Sequence, residues 1–194
     1  TNNNHYVYKN RKKKNSKIKS IMFICSGIYK ASIDHEKLIF KHLNLFCNKN
    51  YIKLFLCGRL DASKENFYRK NYEAGSWKYL PKISTENSYK NLNDQELIVF
   101  THSSLGFEAL AKGIKVAAFY SNFPEKSSSY LYKKKGFFWS NTTNYKDFEK
   151  LLEKVIKCSN LRWKRNVKKY SSEILKYDPY NKEKKKIIYS NLKS

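Results

Sequence analysis

Hydroxyl, imidazole and carboxylate groups crowd one short stretch of this chain: Thr101-His102-Ser103-Ser104, followed by Glu108. The stretch lies between two apolar runs, Leu97-Ile98-Val99-Phe100 and Val116-Ala117-Ala118-Phe119, with Gly113 ahead of the second. An apolar run, a polar turn, a helical pattern, a glycine and a second apolar run form the local grammar of a parallel α/β sheet. Ser103 or Ser104 suits a helix N-cap, and Gly113 suits the residue just past a helix end. A helix start outside the carboxyl end of a parallel strand attracts anions, because its unpaired N–H groups point outward. Glu108 follows Ser104 by four residues, one turn down the same face. A phosphate at the serines and a sugar hydroxyl at Glu108 would then be neighbours, and a nucleotide carries both groups. The same residues also suit a capped helix with a solvated glutamate, and spacing alone leaves both readings open.

Three more turns would open on the same side of such a sheet. The apolar runs at 21–25, 51–57 and 77–80 end at Ser26-Gly27, Gly58-Arg59 and Pro81-Lys82. Gly27 would let backbone approach a phosphate closely, or it makes an ordinary strand-to-helix turn. Arg59 would grip a diphosphate through two parallel hydrogen bonds, or it is one more surface cation among forty. His102 could bond a phosphate or a sugar, or a neighbouring loop. Asp34-His35-Glu36, after the first turn, reads as an acid-rich helix start. The chain has no glycine-rich phosphate loop of the Walker or dinucleotide type, no H-E-x-x-H and no G-x-S-x-G. It also lacks clustered His, Cys and Asp at metal-ligand spacing.

The central stretch resembles the donor-nucleotide motif of GT-B glycosyltransferases, in the carboxyl-terminal half of bacterial surface-carbohydrate transferases. Ser103, Gly106, Glu108, Ala109, Gly113 and Val116 fit a pattern close to S-x-x-G-x-E-A-x-x-x-G-x-x-V. Tyr177-Asp178-Pro179-Tyr180-Asn181 resembles a closing Tyr-Asp-Pro-Gly-Asn motif, with Tyr180 in place of the glycine. The resemblance spans roughly Ile21 to Leu192. It implies a Rossmann-like, doubly wound parallel sheet with helices on both faces, one half of a GT-B fold. It further implies a domain that binds a nucleotide-activated sugar for surface polysaccharide synthesis. The nucleotide would be held by Gly27, Arg59, Lys82, Thr101, His102, Ser103, Ser104, Gly106 and Glu108, with loop backbone at Pro81-Lys82-Ile83 reading the base. No cofactor or metal is required, because a helix dipole and basic residues neutralise the diphosphate. In similar inverting enzymes the catalytic base comes from the amino-terminal domain, so no catalytic residue is assigned here. The implied partners are a nucleotide sugar, a carbohydrate or lipid-linked acceptor, an anionic membrane surface and a missing amino-terminal domain. A nucleotide-sugar epimerase or a polyol-phosphate transferase of the same fold is an alternative.

With 194 residues, 41% of them hydrophobic, the chain can bury a proper core. Residues 1–20 are polar and basic, including Arg11-Lys12-Lys13-Lys14, and read as a disordered arm or linker ahead of a domain at 21–194. A formal charge of +24 implies attraction to nucleotides, nucleic acid or an acidic membrane face, so a non-enzymatic nucleic-acid binder is a rival reading. The abundance of Lys, Asn, Ile, Tyr and Phe also matches AT-rich codons, which would spread charge over a solvated surface without a partner. Four cysteines without paired spacing fit a reducing, cytoplasmic setting, peripheral on the inner membrane face. No apolar run approaches the length of about 18 residues that a membrane helix needs. Starting at Thr1 rather than Met, the chain reads as a fragment or a processed product.

Hydrophobic periodicity supplies the remaining elements. It predicts helices over 35–48, 61–72, 84–92, 144–157, 161–175 and 182–192, and a short strand over 136–139.

Overall fold

In the computed structural model, residues 18–25, 30–58, 64–81, 85–121, 135–174 and 189–190 are described. The elements run β1 (Ser20–Ile24), α1 (Lys30–Lys49), β2 (Lys53–Cys57), α2 (Glu65–Asn71), β3 (Lys78–Leu80), α3 (Thr85–Asp94) and β4 (Leu97–Phe100). They continue with α4 (Ser104–Ala111), β5 (Lys115–Phe119), β6 (Trp139–Ser140), α5 (Tyr145–Lys157) and α6 (Asn160–Ile174). All six strands pair in parallel, in the order β3-β2-β1-β4-β5-β6. This is the doubly wound Rossmann order, which reverses direction between β1 and β4.

The apolar runs are continuous rather than alternating because both faces of the sheet are covered. Every residue of β4 and β5 is buried. On one face, α1 and α2 enclose an aromatic cluster in which Phe40 lies edge-on to Phe23, Tyr72 and Trp77 at 5.3, 5.1 and 5.7 Å. Helix α5 joins this face through Lys49–Glu149 at 3.0 Å and through His42 Nε2 at 3.0 Å from the Thr143 carbonyl. On the other face, Tyr89 of α3 meets Glu108 of α4, and α6 packs on α4. The indole N–H of Trp163 donates to the carbonyls of Gly113 and Ile114, both at 3.2 Å, which pins α6 to the end of α4.

Several boundaries differ from expectation for identifiable reasons. Helix α1 begins at Lys30, so Asp34 to Glu36 lie in its second turn and not at its start. Helix α2 begins at Glu65, and residues 61–63 of the expected helix fall outside the described residues. The strand expected over 136–139 is displaced to Trp139–Ser140 because Gly136 turns the chain back, donating to the Trp139 carbonyl at 2.8 Å. A Cβ at Gly136 would collide with the Trp139 indole, so only glycine lets this turn close. Of the expected terminal helix only Tyr189 and Ser190 are described, and they are helical. The basic residues 11–14 and the motif at 177–181 also lie outside the described residues.

Candidate functional site at the carboxyl ends of the strands

Register brings the strand ends together. Ile24 is level with Cys57 and with Phe100, Cys57 with Leu80, and Phe100 with Ala118. The four predicted turns therefore open side by side at one end of the sheet. Gly27, Arg59 and Lys82, which belong to three of them, lie outside the described residues. The fourth turn, from Thr101 to Ser104, is described in full.

Ser103 occupies the N-cap of α4 with extended backbone (φ −138°, ψ 125°), as the spacing predicts. Its hydroxyl does not close a capping bond onto the helix, so the side chain is not consumed by the role that the spacing alone would give it. Ser104 is exposed and Ser103 is half-buried. Lys112 ends the helix, and Gly113 follows at φ 78°, the left-handed geometry that favours glycine. Gly106 is needed for packing: a Cβ there would stand 2.4 Å from the Phe100 ring, so the missing side chain lets α4 lie close on β4.

Glu108 sits one turn below the helix start, half-buried rather than solvated. The Tyr89 phenol hydrogen-bonds its carboxylate, and burial together with that bond pushes the phenol pKa up. The other carboxylate oxygen, Oε2, is buried and has no hydrogen-bond partner among the described residues. A buried carboxylate oxygen without a donor carries an uncompensated desolvation cost. Donor hydroxyls from a ligand would remove that cost.

Glu36 requires a correction. Read from sequence as part of an acid-rich helix start, it is instead 1% exposed. Its Oε2 accepts from Thr101 Oγ1 at 3.1 Å, and its Oε1 accepts from the Tyr72 hydroxyl. Thr101 is fully buried and its hydroxyl is directed at Glu36. Beside them, burial and then the Glu36 carboxylate push the Cys25 thiol well above its usual range. Glu36 thus ties α1, α2 and the β4–α4 turn together beneath the site. Local pattern held no signal for it, because its partners lie 65 and 36 residues away.

His102 bonds a neighbouring loop, its Nε2 lying 3.0 Å from Ser121 Oγ. His35 Nε2 is 3.0 Å from the Phe119 carbonyl. Burial lowers both imidazole pKa values, the His102 value being lowered further by neighbouring His35, while the Glu36 carboxylate opposes the shift on each. Together the two rings anchor the exit of β5 to α1 and to the β4 turn. All four cysteines are free and buried, and among the described residues no cluster of His, Cys, Asp and Glu could hold a metal. A surface cavity of about 610 Å³ bordered by Asn44, Cys47, Tyr51, Lys53 and Lys78 lies at the amino ends of β2 and β3. It is at the wrong end of the sheet to share in this site.

A family model described as O-antigen biosynthesis protein matches residues 3–192. Sequence comparison with curated proteins finds no match. Among solved structures, S. aureus TarM, as a point mutant in complex with fondaparinux, α-GlcNAc-glycerol and UDP, aligns with a TM-score of 0.54 at 16% identity. That alignment covers 86% of this chain and 34% of TarM. A second TarM structure gives 0.56 at 18% identity, covering 92% and 36%. A Listeria monocytogenes protein described as a UDP-N-acetylglucosamine 2-epimerase gives 0.51 at 12% identity, covering 90% and 51%. The chain therefore spans about a third of TarM and about half of the Listeria protein. At these identities the likeness shows the fold, the Rossmann-like half of a GT-B arrangement that the motif implied. Among the described residues no helix is long and apolar enough to cross a membrane. The family match over nearly the whole sequence, on a sheet of this topology, makes the chain a member of the O-antigen biosynthesis protein family.

Proposed function

We propose that this chain is the donor-binding domain of a nucleotide-sugar-dependent glycosyltransferase of surface polysaccharide synthesis. The observation that carries the reading is the buried, unpartnered Oε2 of Glu108 one turn below the start of α4. A ribose diol donates two hydrogen bonds, and the diphosphate beyond it would reach the Ser103–Ser104 helix start. There the N–H groups and the helix dipole stabilise the charge that builds on the departing phosphate. Arg59, Gly27 and the loop at Lys82 would complete the grip from neighbouring turns, with His102 holding the loop at Ser121 in place. The acceptor is a carbohydrate or a lipid-linked carbohydrate, met at an anionic membrane surface, and its activating base comes from a partner domain. UDP is the first nucleotide to try, since a TarM structure of similar fold contains it.

Calorimetric titration with UDP, CDP, CMP, GDP and ADP tests this. One nucleotide should bind selectively, and Glu108→Ala should weaken it by about 1.5–3 kcal/mol, the worth of hydrogen bonds to a charged group. Unchanged affinity in a folded variant would remove Glu108 from the site. The Listeria likeness favours a second reading, a nucleotide-sugar epimerase of the same fold. Epimerised sugar nucleotide formed without any acceptor would decide for it.

A further inference from the structure

We propose that Tyr89 positions the Glu108 carboxylate for a vicinal diol, so that the donor is a sugar carried on a ribonucleotide rather than on a 2′-deoxyribonucleotide. The inference deepens the functional reading above and rests on it, since it takes Glu108 as the group that meets the nucleotide.

The two residues come from different helices, Tyr89 from α3 and Glu108 from α4. Tyr89 is 3% exposed, and Leu92, three residues further along α3, is fully buried, so both lie on the inward side of that helix. A phenol buried to this extent calls for a hydrogen-bond partner, and the Glu108 carboxylate supplies one. Burial, and then the bond to Glu108, push the phenol pKa up. The hydroxyl therefore keeps its proton and acts as a donor. Packing gives no reason for that oxygen, because phenylalanine would fill the same space. Nor does the codon bias of the chain, which favours Phe as much as Tyr.

The bond matters for what it does to the carboxylate. The terminal torsion of an unrestrained glutamate is broad and two-fold, so its oxygens exchange places. A buried donor on one oxygen ends that freedom and fixes where the other oxygen stands. The other oxygen is Oε2, buried and without a hydrogen-bond partner among the described residues. Each oxygen of an ionised carboxylate offers two acceptor positions. Two adjacent hydroxyls on one ring match a single oxygen with two such positions, and ribose O2′ and O3′ are such a pair. A 2′-deoxyribose brings only one hydroxyl. It would leave part of a buried, charged oxygen unsatisfied, and that loss is how a polar site rejects an analogue lacking the group it was built for.

The test is calorimetric titration of the full chain with matched pairs: UDP, CDP, GDP and ADP, each against its 2′-deoxy counterpart, with thymidine diphosphate added. Wild type should bind one ribonucleotide roughly ten- to a hundredfold more tightly than its deoxy partner, the effect of one hydrogen bond to a charged group. Thymidine diphosphate should bind no better than the deoxy partners. Tyr89→Phe should bring the ratio within the pair close to one, with most of the loss on the ribonucleotide. A tyrosine that only supported the fold would weaken both members alike and leave the ratio intact. In Glu108→Gln the ratio should already be small, and adding Tyr89→Phe should change it no further. Melting curves establish that each variant is folded, and if Tyr89→Phe is not, the wild-type ratio and Glu108→Gln decide without it.

An unchanged ratio in folded Tyr89→Phe would overturn the positioning role. Equal affinity within every pair, with Glu108→Ala still weakening both members, would give Oε2 to some other donor on the ligand. That result would overturn the inference and leave the donor-domain reading standing. Wild-type protein that binds none of these nucleotides would take both down.

Discussion

Replacing Glu36 by alanine should unfold this domain more readily by an amount that its environment determines. Glu36 is 1% exposed, and its two oxygens receive hydroxyls from Thr101, which is fully buried, and from Tyr72, which is 5% exposed. Removing the carboxylate leaves both hydroxyls without that acceptor in a place water cannot reach, at a cost of about 1–3 kcal/mol each. Relief from burying a charge offsets part of this. The net loss should be about 3 kcal/mol, a large share of the stability of a single domain. Glu36→Gln keeps the shape and one acceptor oxygen, and should lose only about 1 kcal/mol. Urea unfolding followed by tryptophan fluorescence measures both. With a slope of about 2 kcal/mol per molar, the alanine midpoint should fall by about 1.5 M. A double-mutant cycle isolates the contact: Thr101→Val should cost about 1–2 kcal/mol in the wild type and close to nothing once Glu36 is alanine. A loss under about 1 kcal/mol for Glu36→Ala, or equal costs of Thr101→Val in the two backgrounds, would refute the claim that this carboxylate holds the β4–α4 turn.

Gly106→Ala should destabilise the domain by about 1–3 kcal/mol despite alanine's better helix propensity, because its Cβ would meet the buried Phe100 ring at 2.4 Å. Phe100→Leu should recover part of the loss in urea unfolding, and an additive double variant would discount the contact. The acid limb of stability should reflect His35 and His102. Their folded pKa values are lowered by burial from 6.5, so below that pH the unfolded chain binds protons that the folded chain refuses. Stability should therefore fall as pH drops through the window below 6.5 and be level above it. Melting temperatures recorded between pH 5 and 8 should show this slope reduced in His35→Gln/His102→Gln, and an unchanged slope would acquit both rings.

Much of the fold was legible because its determinants are local. Unbroken apolar runs at 21–25 and 97–100 announced strands buried on both faces. The helix start at Ser103 falls where the local spacing places it, though its hydroxyl makes no capping bond, and the stop at Gly113 has the φ of 78° that favours glycine. Asn144 likewise caps α5 through its side chain, accepting from the N–H groups of Lys146 and Asp147 at 2.8 and 3.3 Å. The position of Glu108 one turn below the start of α4 followed from its offset from Ser104. The strand displaced to Trp139 was less legible, because a tight turn at Gly136 outweighs the β-propensity of Phe137 and Phe138.

Sequence by itself determined the alternation of strands and helices, the helix start at the end of β4 and the place of Glu108 on that helix, since each depends on neighbours within a few turns of chain. Tertiary structure alone decided which polar groups became structural. Lys115 would pass for a surface cation, yet it is 8% exposed and its ammonium donates to the carbonyls of Ile156 and Cys158, at 2.8 and 2.5 Å, closing the end of α5. Glu96 accepts from the backbone N–H groups of Lys19 and Ser20 at 2.5 and 2.9 Å, fastening the start of β1. Glu36 was hidden for the same reason. The worth of a buried charge is set by the donors that converge on it, and donors dozens of residues away become its neighbours only when the sheet has assembled.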